Sequence, residues 1–260
     1  MKTVTSKDGT NIAYESCGTG PAVLLVAGAF CDRGWFTSIA AELATDFTVY
    51  TYDRRGRGDS GDGEFSIEAE SDDMRAVVAA IGEAPLVYGL SSGGALALEA
   101  ASRGVPMKRL AVYEAPYMDE GHVDRTVLRD LRQLVDAGDM AGAATRFLTL
   151  TGASPEEIEL TKQRPEWKGM CAIAHTLPYD VAICDHGTSS LDWLSSITVT
   201  ALAMYGGASG PWGQSAAERI SGRISGAKCL GIPGQGHGVD DNAIVPLLRD
   251  FFSGASSTGR

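Results

Sequence analysis

The sequence predicts an α/β fold, a mostly parallel sheet with helices on both faces. Three observations carry that expectation. Short apolar runs of strand length alternate with segments of helical spacing along most of the chain. One run, Leu86-Val87-Tyr88-Gly89-Leu90, passes through Ser91-Ser92-Gly93 into the Ala/Leu-rich stretch Gly94-Ala95-Leu96-Ala97-Leu98, so a strand turns sharply into a helix. The alternation breaks once, over residues 117–196, and then returns. The 260 residues therefore divide into a first core part (1–116), a helical insertion (117–196) and a second core part (197–260).

Val4-Thr5 and residues 11–15 flank the turn Lys7-Asp8-Gly9-Thr10, which reads as an antiparallel hairpin. Residues 22–27 are wholly apolar and predict a buried strand, with Gly28-Ala29-Phe30 as the turn after it. Helical spacing follows over 35–44, then a strand over 47–52, closed by the loop Asp53-Arg54-Arg55-Gly56-Arg57-Gly58-Asp59-Ser60-Gly61. Ser66 is placed to cap a helix reaching about Ile81. The Ser91 strand and its helix, to about Arg103, come next, and Arg109-Leu110-Ala111-Val112-Tyr113 is another buried strand, ended by Glu114-Ala115-Pro116. In the insertion, helical spacing falls over 123–136, 140–150, 155–162 and 166–175. A strand over 199–205, a helix over 216–224, a strand over 228–232 and a helix over 242–252 complete the core, and 253–260 reads as a loose tail.

The net charge of −11 argues against nucleic acid or an anionic membrane as partner. The start, Met1-Lys2-Thr3-Val4-Thr5-Ser6, has no apolar signal region, and no apolar run approaches membrane-spanning length. A soluble, cytoplasmic protein, monomer or homodimer, is the expectation. Cys17, Cys31, Cys171, Cys184 and Cys229 are odd in number and scattered, without a C-x-x-C pair, which favours free thiols over disulfides or a zinc site. Arg57-Gly58-Asp59 also spells a cell-adhesion tripeptide, read here as coincidence.

The chemistry centres on Ser91. The turn Gly89-Leu90-Ser91-Ser92-Gly93 strains the backbone at its apex, and side chains two residues either side would clash; glycine removes them. The hydroxyl is lifted above the sheet edge, where the first free N–H groups of the new helix favour negative charge. A serine needs a base to take its proton. Of His122, His175, His186 and His237, the first three fall in the insertion. His237 lies in Gly234-Gln235-Gly236-His237-Gly238 after the last strand, where it would hang over the same sheet edge as Ser91.

These features together resemble the α/β-hydrolase superfamily over essentially the whole length. Gly28, the loop Asp53 to Ser60, the elbow at Ser91, the late His237 and the helical insertion carry the likeness. It implies an eight-stranded, mostly parallel sheet and a triad in the order serine, acid, histidine. The insertion, set between two strands of one sheet, should sit over the strands' carboxyl ends and reads as a lid, with a separately folding domain as the alternative. Most members carry the acid after the strand equivalent to 199–205, but the turn here, Gly206-Gly207-Ala208-Ser209-Gly210-Pro211-Trp212, has no carboxylate. Glu114 stands at the carboxyl end of a strand nearer the elbow, as in the zearalenone-lactonase type, which has a glutamate there and an elbow that also reads Ser-Ser-Gly. Asp180, Asp185 and Asp192 are the rival acids. The oxyanion donors are expected at the amides of Ser92 and Ala29; many relatives read His-Gly-x where this chain reads Ala27-Gly28-Ala29.

Arg164-Pro165-Glu166-Trp167 loosely matches a lid stretch whose tryptophan touches substrate in the lactonase type, so Trp167 is the first substrate contact named, with Phe30, Tyr117, Met118 and Tyr179 beside it and Met170 and His175 behind. The resemblance implies a serine hydrolase acting on an ester or lactone of an apolar small molecule, with no metal and no organic cofactor. The alternatives are C–C bond cleavage or cyclisation on the same machinery, and a small-molecule binding protein on the same fold. A serine at the elbow excludes dehalogenase and epoxide-hydrolase chemistry, which use aspartate there.

Overall fold

The strands flanking the turn at residues 7–10 pair as expected, β1 (Lys2–Thr5) antiparallel to β2 (Asn11–Cys17). The computed structural model describes residues 1–118 and 126–254, with residues 188–189 described by their backbone alone. Six further strands follow: β3 (Ala22–Val26), β4 (Thr48–Tyr52), β5 (Leu86–Leu90), β6 (Arg109–Tyr113), β7 (Thr200–Gly206) and β8 (Lys228–Ile232). The eight form one sheet in the order β1-β2-β4-β3-β5-β6-β7-β8. β2 also pairs antiparallel with β4, and every later pair is parallel.

The apolar composition of β3 and β5 requires cover on both faces. Leu24, Val26 and Val87 face a core shared with α2 (Ile67–Ile81) and α3 (Ser92–Ser102). Val23, Leu25, Tyr88 and Leu90 face the opposite core, with α1 (Thr37–Leu43) and α10 (Asp241–Ser253). Each fully buried Val or Leu side chain contributes ~1.5–3 kcal/mol. The Ser66 hydroxyl accepts the Ala69 N–H at 2.9 Å to start α2, and left-handed Gly82, at φ 86°, ends it.

Between β6 and β7 the chain forms α4 (Val127–Asp136), α5 (Met140–Leu150), α6 (Pro155–Lys162), α7 (Trp167–Ala172) and α8 (Leu177–Ser189). None of the described residues in this stretch adds a strand to the sheet. Val127, Leu131, Ala143, Ala144, Leu177 and Val181 give these helices an apolar core of their own. Ser154 and Glu157 cap α6 reciprocally.

Several expected elements differ. The helix expected over 35–44 begins as a 3₁₀ turn, Arg33–Phe36, because the Asp32 carboxylate takes the Gly34 N–H at 2.8 Å. The helix expected over 166–175 splits into α7 and a 3₁₀ turn, Ala174–Thr176. α8 was not foreseen: its apolar residues do not gather on one face, and Pro178 and Gly187 read as breakers. α9 spans Pro211–Ser221 rather than 216–224, because Pro211 sits in its first turn after Gly210 at φ 81°. α10 runs to Ser253, into the expected tail. His122, the expected helical residues 123–125 and the tail residues 255–260 lie outside the described residues.

Candidate active site

β5 delivers Leu90 to the sheet edge, and the next residue turns. Ser91 has φ 55° and ψ −127°; its N–H donates to Tyr113 O at 2.9 Å, and its carbonyl receives the Gly94 and Ala95 amides that open α3. The flanking glycines are required by close approach. A Cβ on Gly89 would lie 2.6 Å from Gly94 Cα, and one on Gly93 would lie 2.3 Å from Val26 O. Ser92 opens α3, so its amide belongs to the first turn, whose N–H groups have no partner inside the helix.

His237 approaches from the loop after β8. Its Nε2 lies 3.2 Å from Ser91 Oγ, and its Nδ1 lies 2.6 Å from Glu114 Oε2. The other Glu114 oxygen accepts the Gly206 N–H at 2.8 Å. The Tyr113 hydroxyl donates to Gly236 O at 2.5 Å and pins the histidine loop to the strand that carries Glu114. The Glu114 side chain is fully buried while His237 is half-exposed. Burial pushes the Glu114 carboxyl up, but hydrogen bonds from His237 and the Gly206 amide outweigh it and hold the group below its ordinary value. An ionised Glu114 accepts a hydrogen bond from the Nδ1–H of the imidazole, which keeps the proton on Nδ1 and leaves Nε2 as acceptor for the Ser91 hydroxyl.

Gly28 lies across the elbow: a Cβ there would stand 3.1 Å from both Ser91 Cβ and Leu90 O. Phe30, two residues on, has φ 58°. Among the described residues, the non-glycine residues with positive φ are Phe30, Ser91 and Glu114, one in each of three of the four segments that meet here, the His237 loop being the fourth. Such strain persists only where surrounding structure over-determines it.

The sequence profile of the alpha/beta hydrolase family matches residues 23–247. The chain belongs to that family. A crystal structure of an alpha/beta hydrolase from Sphaerobacter thermophilus superposes with a TM-score of 0.90 at 41% identity, covering 96% of this chain and 100% of that one. The uncharacterized hydrolase YraK of Bacillus subtilis is 40% identical over 96 residues, a match spanning 35% of each chain. The N-formylmaleamate deformylase of Pseudomonas putida is 29% identical over 208 residues, 74% of this chain and 73% of that one. The fold is also that of an enol-lactonase from Burkholderia xenovorans, with a TM-score of 0.73, 20% identity and coverage of 97% and 100%.

In this α/β-hydrolase the rival acids lie elsewhere. Asp180 is buried among Arg54, Arg57 and Ser92, and Asp192 pairs with Arg223 at 3.1 Å. Asp185 lies farther along α8, and the carboxylate on His237 is Glu114. Tyr117 leaves the set of candidate substrate contacts. Its ring is fully buried in the core against α8, where a Cβ on Gly187 would meet it at 2.1 Å, and its hydroxyl donates to Ala95 O at 3.2 Å. Tyr179 stacks on Phe65 at 4.4 Å and reaches Asp62 at 3.3 Å, so its ring serves the packing of α8 on the loop before α2. His175 likewise faces Asp62, at 3.4 Å. Phe30, Ala29 and Trp167 all pack on the apolar core of the insertion, Phe30 edge-on to Phe147 at 5.3 Å. Met118 and Met170 are half-buried.

Two aromatic residues near the site were not foreseen as part of it. Trp212, in the first turn of α9, has its ring 5.8 Å from that of His237. Trp35, 58% exposed, lines a cavity of about 150 Å³ with Phe36, Ile39, Leu90, Gly238 and Asp241; Leu90 and Gly238 are next in chain to Ser91 and His237. Their places in the sequence, Trp35 after β3 and Trp212 after β7, in connections that leave the carboxyl ends of sheet strands, were the available signal. Among the described residues no group of three or more His, Cys, Asp or Glu side chains is placed to hold a metal ion, and no helix is long and apolar enough to cross a membrane.

Proposed function

We propose that this α/β-hydrolase is a serine hydrolase that cleaves an ester or lactone of a small-to-medium apolar molecule through an acyl-enzyme. The observation that carries the reading is the hydrogen-bonded chain from Glu114 through His237 to Ser91, at 2.6 and 3.2 Å. His237 Nε2 takes the Ser91 proton as Oγ attacks the substrate carbonyl. The amides of Ala29 and Ser92 stabilise the tetrahedral oxyanion. The imidazolium, balanced by Glu114, returns the proton to the leaving alcohol, and water then attacks the acyl-enzyme with the same base. The aromatic and aliphatic side chains of the Trp35 cavity, which Asp241 also lines, and the Phe30 ring favour an uncharged substrate. The helices between β6 and β7 act as its lid.

The test is turnover of short-chain aryl esters and of simple lactones. We expect turnover by the natural chain and none by Ser91→Ala with the fold intact, with a serine-reactive phosphonate labelling Ser91 alone. Full activity in the alanine variant, or labelling elsewhere, overturns the assignment. A second reading, hydrolysis of an N-formyl or similar amide by the same groups, is favoured by the likeness to the deformylase. An N-formyl amide turned over faster than any ester would select it.

A further inference from the structure

Beneath the elbow lies a second polar assembly that the triad does not use. Arg57 Nη1 donates to Gly28 O at 2.6 Å, and its Nη2 donates to both Asp180 oxygens at 2.9 and 2.8 Å. Asp180 Oδ1 also accepts the Ser92 hydroxyl at 2.7 Å and Arg54 Nη1 at 2.8 Å. Arg54 is gripped by Glu70 through a two-point fork at 2.7 and 2.8 Å. All four ionic side chains are at most 2% exposed. Two arginines face two carboxylates, so the assembly is neutral and its effect on a neighbouring reaction is one of orientation rather than net field.

The orientation follows from peptide geometry. The Gly28–Ala29 peptide is trans, so the carbonyl of Gly28 and the N–H of Ala29 point in opposite directions. Arg57 holds the carbonyl, which aims the Ala29 N–H away from the guanidinium. Ala27-Gly28-Ala29 has no polar side chain of its own, so the peptide plane must be held from outside. The other donor, the Ser92 amide, belongs to a residue whose hydroxyl is held by Asp180. Asp180 lies in the first turn of α8, inside the inserted helices, where the helix dipole also favours its charge.

We propose that Arg57 and Asp180 are positioning residues for the oxyanion donors, Arg57 setting the Gly28–Ala29 peptide plane and Asp180 fixing both Arg57 and Ser92. The inserted helices are then a working part of the reaction centre as well as its cover. The inference rests on the serine-hydrolase reading above and assigns a function to charges that would otherwise be a buried structural network.

Two mild variants test it. Arg57→Lys keeps a buried positive charge near Asp180 but loses the fork that spans the carboxylate and Gly28 O. Ser92→Ala removes one hydroxyl and keeps the amide. Phosphonate titration to its end point counts folded, competent sites, so kcat is expressed per titrated site. Loss of a whole oxyanion donor costs about 10²–10³ in kcat, so mispositioning should cost about 10–100-fold in Arg57→Lys and about 3–10-fold in Ser92→Ala. KM should stay within about threefold, and a trifluoromethyl ketone, which forms an oxyanion adduct, should bind more weakly in step with kcat. A merely structural role lowers the number of titrated sites and leaves kcat per site and ketone affinity unchanged. That result in Arg57→Lys overturns the proposal; if Arg57→Lys does not fold, the same result in Ser92→Ala does so. If the natural chain neither turns over esters nor is labelled at Ser91, the hydrolase reading falls and this inference with it. Labelling and turnover with unchanged variants refute this inference alone.

Discussion

Ser91 and Glu114 leave neighbouring parallel strands with the same uncommon sign of φ, at 55° and 47°, and His237 lies between their side chains. Their matched positions follow from the pairing of β5 with β6. Leu90 is in register with Tyr113, so the next residue of each strand is the first beyond the sheet edge. The Ser91 amide still bonds back to Tyr113 O, and the Glu114 amide to Met204 O, each at 2.9 Å. Each side chain is thereby thrown over the carboxyl edge of the sheet, where ligands bind in open parallel sheets.

Glu114→Gln should keep the fold and lose on the order of 10²–10⁴ in turnover, because a neutral amide no longer balances the imidazolium or sets its tautomer. Steady-state kinetics on an aryl ester, with circular dichroism as the control for folding, measures this. Activity within about threefold of the natural chain would remove Glu114 from the triad.

Gly93→Ala should destabilise by about 1–3 kcal/mol or prevent folding, because its Cβ would meet Val26 O at 2.3 Å and Ala27 O at 2.5 Å, both backbone atoms. Gly169→Ala, a helical glycine with open space around it, should instead stabilise by about 0.5–1 kcal/mol. Urea unfolding of the two variants side by side checks the contrast.

Asp180→Asn should cost about 3–5 kcal/mol, because it removes the carboxylate that pairs with Arg57 and leaves Arg54 with Glu70 alone. Burial pushes the Asp180 carboxyl up, but the charges of Arg57 and Arg54 and the hydrogen bond from Ser92 outweigh it and hold it below its ordinary value of 3.8. A depressed acid stabilises the fold above its unfolded pKa, and that stability is lost as pH falls through the lower folded value. The gap in urea midpoint between the natural chain and Asp180→Asn should therefore be full at neutral pH and shrink below about pH 4. A gap that grows in acid would contradict the assignment.

Trp35→Ala should raise KM for apolar aryl esters by about 3–10-fold with kcat nearly unchanged, since the ring lines a cavity shared with Leu90 and Gly238, the chain neighbours of Ser91 and His237, and lined by none of Ser91, His237 or Glu114. An unchanged KM across esters of increasing chain length would show that substrate does not use that cavity.

The sequence by itself determined the alternation of strands and helices, the elbow at Ser91 and the loop position of His237. Each is written in a few consecutive residues: apolar runs of strand length, glycines at fixed offsets from a serine, a glycine-flanked histidine after the last strand. The carboxyl-edge position of Glu114 was legible for the same reason. Only the tertiary structure decided which carboxylate meets which cation or imidazole. Asp180 was one acid among several along the chain, yet it bonds partners 88, 123 and 126 residues away and lies apart from His237. It decided too that Tyr117 is core rather than pocket, because the space for its ring is opened by Gly187 on a helix whose pattern hides it. Local sequence sets backbone conformation and periodicity, whereas the pairing of buried charges and the side of a wall that a ring occupies depend on residues that become neighbours only when the inserted helices pack onto the sheet.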